Sequence, residues 1–218
     1  MKNKAIVVIL LALTLLPFAT GCECEPPDSS SLAVSLVAQE RDFWCWAACT
    51  EMISAFYKHK VNQCDSVSHV HGTSPNCCTG CTGDCPCWGG NWGASISDIK
   101  DNWTHWKFDY HYVASSVGWK ELKLLVHCFE TPLYVVWWWT GGGGHVVTAY
   151  GYQETENNEY VLYRDPWPPS CEKIGGECKS KSGWYSGGET KVSTHSAFVS
   201  SGGHGWGNTF HRFEYTGP

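Results

Sequence analysis

At Pro132 the chain changes character, and that break constrains its fold more than any other feature. Before it, apolar residues fall at three- and four-residue steps; after it, they come in short runs rich in β-branched and aromatic side chains. Over residues 43–58, Trp46, Cys49, Met52 or Ile53, and Phe56 share one face, which predicts a central helix. Shorter helices are expected over 94–103 and 119–130, the second aligning Trp119, Leu122, Val126 and Phe129. Beyond Pro132, "LYVVWWW" (133–139), "HVVTAYGY" (145–152) and "EYVLYRD" (159–165), parted by "TGGGG" and "QETENN", read as an antiparallel meander. Weaker strand signals follow at 191–199 and 209–215. Helices first and strands second predict an α+β fold with the central helix packed on the sheet.

A length of 218 residues suits one well-buried domain, and 43% hydrophobic against 17% charged residues makes it globular rather than disordered. The start, "MKNKAIVVILLALTLLPFATGC", has two lysines, an apolar run too short to span a bilayer, then small residues, so residues 1–21 read as an export signal. Removing Lys2 and Lys4, the only charges before Glu23, takes the net charge from −6 to −8. Such a balance cannot grip phosphate backbones, and no nucleic-acid partner is expected. "FATGC" resembles a bacterial lipobox, which would acylate Cys22 and anchor the chain to a membrane; ordinary cleavage at 19–21 would release a soluble secreted protein. Both routes lead out of the cytoplasm. Residues 22–37 are expected to form a tether, without periodicity over 23–31, and residues 38–218 the folded domain.

Thirteen cysteines in an exported chain point to disulfides. With Cys22 acylated and one cysteine catalytic, an odd number is left, and Cys24 in the tether is the expected unpaired thiol. The Cys-rich loop (64–87) holds Cys77, Cys78, Cys81, Cys85 and Cys87, whose CxxC and CxC spacings suit zinc, although export favours disulfides. Cys171 and Cys178 are expected to close a small loop.

The stretch "QERDFWCWAACTEMISAFY" (39–57) sets two cysteines on one helix. A thiol attacks as thiolate, which the positive end of a helix and a nearby imidazolium both favour. Cys45 falls at the expected N-terminus and Cys49 a full turn in, so position selects Cys45; Cys49 is read as a disulfide partner of Cys64, Cys77 or Cys78. Gln39, six residues upstream, carries an amide that could share an oxyanion with the Cys45 backbone N–H. Gln39 followed by Cys45-Trp46-Ala47-Ala48 resembles the nucleophile segment of papain-like cysteine peptidases, and more narrowly the bacterial branch with the bacteriocin leader peptidases and plant-pathogen effector proteases.

That resemblance, covering about residues 38–167, implies a histidine on a later strand and a downstream orienting residue. "GGGGHVVTAYGY" supplies His145 and "VLYRDPWP" supplies Asp165, with His204 as the next-best histidine. Asp165 stands where papain has Asn, and a carboxylate accepts the same hydrogen bond. It is expected to take the His145 Nδ1 hydrogen, leaving Nε2 for the thiol. The implied activity is cysteine-type peptide hydrolysis by a monomer, on peptide or protein substrates, with no cofactor and no metal. A cell-wall amidase or acyltransferase with the same triad, and a lipid-tethered binding module, are the alternatives. Trp137, Trp138 and Trp139 cannot all face the core, because strand side chains alternate; at least one is expected to line a groove or partner surface, unless flanking loops extend the aromatic core over all three.

Overall fold

The computed structural model describes residues 24–72, 92–167, 172–174, 177–179 and 188–218. The export signal, Cys22, the cysteines at 77–87 and Cys171 lie outside them, and with them the expected lipid anchor, the zinc-or-disulfide cluster and the Cys171–Cys178 loop. In chain order the first elements are β1 (Ser29–Ser31), α1 (Cys45–Phe56), α2 (Gln63–His71), α3 (Ile96–His105), β2 (Phe108–Val113) and α4 (Trp119–His127). Then come β3 (Leu133–Trp139), β4 (Gly144–Glu154), β5 (Glu159–Asp165), a separate hairpin of β6 (Glu172–Ile174) and β7 (Glu177–Lys179), β8 (Glu189–Thr194), α5 (His195–Val199), β9 (Ser200–Ser201) and β10 (His204–Tyr215).

The main sheet is antiparallel, in the order β2-β10-β3-β4-β5-β8, so the architecture is α+β and the expected meander β3-β4-β5 is its centre. The continuous apolar run of β3 has a physical reason. Tyr134 and Val136 pack into the cluster that contains α1, while Leu133, Val135 and Trp137 pack with Leu122 and Val126 of α4 and Phe198 of α5. A strand covered on both faces has no polar alternate positions. The glycine run makes the β3–β4 turn: Gly142 and Gly143 have φ of 91° and 78°, a region that other residues enter only at a cost.

Helix α1 is buried from Cys45 to Ser54, on all sides rather than on one stripe. It lies against β4 and β3 and is covered by α2. Trp46, Met52 and Ile53 are no more than 1% exposed, each contributing about 1.5–3 kcal/mol of burial. Helix α2 and strand β2 were not anticipated, although Gly72 in the left-handed conformation ends α2, and Phe108, Tyr110 and Tyr112 alternate along β2. The strand expected at 191–199 ends early, because Thr194 accepts a hydrogen bond from the Ala197 N–H and turns the chain into α5.

The segment read as a tether is docked. Ser29–Ser31 pair with Gln153–Gly151, continuing beside β4 where β3 stops, and Val34 is 1% exposed. A side chain at Gly151 would come within 2.9 Å of the Ser30 carbonyl, so glycine permits this approach. Cys24, expected to be unpaired, forms a disulfide with Cys128 at the end of α4, 104 residues away. The polar composition of 23–31 hid this because β1 pairs through backbone groups and one cross-link, not through apolar side chains.

Candidate active site

Cys45 is the first residue of α1, whose N-terminus has no side-chain cap. The first N–H groups of a helix lack intrahelical acceptors, so positive potential gathers beside this sulfur. Cys45 is a free thiol, buried at 8% exposure. The turn before it is closed by Trp44 N–H donating to the Arg41 carbonyl at 3.1 Å. Gln39, wholly buried, braces the same turn: its Nε2 donates to the carbonyls of Arg41 and Asp42, both at 2.8 Å, and its Oε1 has no partner among the described residues.

His145 and Asp165 meet because the meander puts them on one face. The register Thr148↔Arg164 sets Val147 opposite Asp165, and His145 is two residues further along β4, on the same side. His145 Nε2 lies 2.7 Å from Asp165 Oδ1. This corrects the expected use of the ring: Asp165 takes Nε2, and Nδ1 is the nitrogen left for the thiol. Cys45 and His145 line the same cleft.

Asp165 is held from three sides. Its Oδ1 also accepts the Trp167 N–H at 3.0 Å, and its Oδ2 accepts Lys191 Nζ at 2.8 Å. Burial works against its charge, but the His145 hydrogen bond and charge, Lys191 and the Trp167 N–H outweigh it and bring the carboxyl down to about 2. For His145, burial likewise opposes ionisation, and the hydrogen bonds to Asp165 and Cys45 overcome it, raising the ring to about 9. The balance favours the protonated ring.

Cys49 is not a half-cystine. It is a free, fully buried thiol whose Sγ donates to the Val146 carbonyl at 3.4 Å, and burial pushes its pKa well up. Among the proposed partners, Cys64 is disulfide-bonded elsewhere.

Cys45, His145 and Asp165 open on one cleft of about 910 Å³, walled by Phe43 and Trp46 on the α1 side and by the three consecutive tryptophans and the glycine turn on the other. Of the tryptophans, Trp137 is buried, whereas Trp138 and Trp139 are 40% and 39% exposed, as alternation requires for at least one. His204 also lines the cleft, but its Nδ1 is 2.9 Å from Ser201 Oγ.

Two supporting residues were missed. Lys191 bridges Asp165 and Glu189, both at 2.8 Å, across the β5–β8 pair. Gln63, also wholly buried, accepts the Glu40 N–H at 2.9 Å and donates to the Ala38 carbonyl at 2.9 Å, pinning the residues on both sides of Gln39 to α2. Neither carries a local sequence signal, because both act on segments remote in the chain.

No curated protein gives a significant match to this chain. The model of the Peptidase_C39 like family matches residues 31–182, about two thirds of the sequence, and its span holds Gln39, Cys45, His145 and Asp165. The chain belongs to the Peptidase_C39 like family, and so to the papain-like cysteine peptidases.

Proposed function

We propose that the protein is an exported thiol peptidase that hydrolyses peptide bonds through Cys45, His145 and Asp165. The observation that carries this reading is a free thiol at a helix N-terminus beside an imidazole whose far nitrogen is held at 2.7 Å by a buried carboxylate. The Cys45 sulfur adds to the substrate carbonyl carbon, forming a C–S bond and an oxyanion. His145 Nδ1 gives its proton to the leaving nitrogen as the C–N bond breaks. Water then attacks the thioester, its proton passing to Nδ1, and the acid product leaves with the thiolate restored. Throughout, Asp165 holds Nε2 and balances the imidazolium.

The oxyanion donors in this reading are the Cys45 N–H and the Gln39 amide, each worth roughly 3 kcal/mol in the transition state. Gln39 serves only by exchanging one of its bonds to the Arg41 and Asp42 carbonyls for a charge-assisted one. Export is supported by the Cys24–Cys128 disulfide, which an oxidising compartment preserves. If Cys22 is acylated, one residue separates lipid from disulfide, and the domain sits at the membrane surface.

The test is iodoacetamide labelling with mass-spectrometric mapping, alongside cleavage of a peptide library. Wild type is expected to label at Cys45 and cut peptides, Cys45→Ala to do neither, and His145→Ala to lose on the order of a thousandfold in kcat/KM. Labelling confined to other cysteines, or peptide cleavage by Cys45→Ala, overturns the assignment.

A further inference from the structure

The end of β3 behaves unlike the rest of the strand. Leu133 to Trp137 are at most 5% exposed, whereas Trp138 and Trp139 are left in the cleft at 40% and 39%. Two large rings left this open forgo much of the burial a core would give them. Neither is loose. Trp138 Nε1 donates to Asn208 Oδ1 at 2.8 Å, and Asn208 Nδ2 donates to the Tyr112 hydroxyl at 2.8 Å. Strand β10 shifts register against β3 between Trp206 and Asn208, and a side chain on Gly207 there would collide with the Trp138 ring. A bulge and a missing Cβ thus make the slot that holds this indole flat.

Trp139 is fixed from its backbone. Its N–H donates to the Gly143 carbonyl at 3.1 Å, its carbonyl accepts the Gly142 N–H at 3.0 Å, and its ring meets His204 edge-on, with centroids 5.7 Å apart. The same ring lies nearly parallel to His145, at 17° and 6.1 Å between centroids. Lys191, which also lines the cleft, is engaged with Asp165 and Glu189, so the two rings themselves are the apolar surface that this wall offers.

The chemistry assigns the half of the substrate that meets these rings. The acyl half becomes bonded to Cys45 at the end of α1. The leaving nitrogen must come to His145 for its proton, and the residue that carries this nitrogen lies along the wall beside His145. We propose that Trp138 and Trp139 form a fixed aromatic platform selecting peptides with a bulky apolar residue directly after the scissile bond. The inference rests on the peptidase reading and goes beyond it by naming a specificity site. Because the rings are already immobilised, little ordering opposes binding, and shape and apolar contact decide affinity.

The test uses the full chain and a peptide library randomised on both sides of the cut, read by mass spectrometry, with iodoacetamide labelling of Cys45 run in parallel. Wild type is expected to favour Phe, Tyr or Leu over Gly or Asp after the cut by roughly tenfold or more in kcat/KM. Trp138→Ala and Trp139→Ala are each expected to bring that ratio to within about threefold, while Trp138→Phe retains it. Retention by Trp138→Phe, with matched thermal melts, separates the platform from general loss of fold. Peptide cleavage with no preference at that position, or a preference unmoved in both alanine variants, overturns the platform and leaves the peptidase reading standing. A Trp138→Ala variant that instead loses binding to a chitin oligosaccharide, its peptide ratio unchanged, overturns it in favour of a sugar. Absence of both Cys45 labelling and peptide cleavage removes the peptidase reading, and the platform with it.

Discussion

His145 turns Nε2 to Asp165 Oδ1, at 2.7 Å, and leaves Nδ1 on the other side of the ring. The orientation makes the hydrogen bond to Asp165 the largest of the effects that raise the ring against burial.

The first prediction concerns the alkaline limit. With His145 raised to about 9, the proton donor is lost as pH rises through that value, and kcat/KM should fall with an apparent pKa near 9. Asp165→Asn removes the carboxylate charge that favours the protonated ring, so the limb should move to lower pH. A pH–rate profile of both proteins checks the direction. The same shift has a stability consequence: a group raised from 6.5 to about 9 stabilises the fold fully below 6.5, and that stabilisation is lost as pH rises through 9.

Lys191→Met should weaken the acid side instead. The Asp165 carboxyl, lowered from 3.8 to about 2, supports the fold above 3.8 and ceases to do so as pH falls through 2. Without the Lys191 hydrogen bond its pKa rises, and acid unfolding followed by fluorescence should begin at higher pH than in wild type.

His211 supplies a second acid-sensitive group. On β10 its two ring nitrogens are buried without partners among the described residues; burial, then His111 across the β2–β10 pair and the adjacent Arg212, lower it to about 4. The unfolded chain takes up that proton near 6.5, so stability should decline as pH falls from 6.5 towards 4. His211→Phe keeps the ring and removes the titration, and its thermal melts should change less across that interval.

Cys128→Ser should release the N-terminal segment. Removing a native cross-link of this kind costs about 2–5 kcal/mol, and the expected readout is faster hydrogen exchange in Ser29–Ser31 and in the facing Gly151–Gln153 amides. Unchanged exchange there would mean that backbone pairing alone holds β1.

The Cys49 thiol bears on how much of the site was legible. Spacing distinguished Cys45 from Cys49, because a helix N-terminus is a local property. It could not say that Cys49 stays reduced, since that depends on α2 and the sheet burying α1 from all sides. The same division runs through the fold. The runs at 133–139 and 159–165 marked β3 and β5 to the residue, the first because a strand covered on both faces reads as a continuous apolar run, the second because its buried and half-buried positions alternate. Strand β1 left no such mark, because glycine at 151 and a disulfide hold it rather than its own side chains.

By itself, then, the order of residues determined the central helix, the β3-β4-β5 meander and the candidate nucleophile, since each depends on periodicity or on position within one segment, while His145 and Asp165 were named from the family resemblance. Only the tertiary structure decided which imidazole nitrogen bonds Asp165, that Lys191 and Gln63 brace the site, and that Trp138 is fixed in its slot against Gly207. Those outcomes depend on strand register and on contacts between residues distant in the chain, and no window of sequence contains both partners.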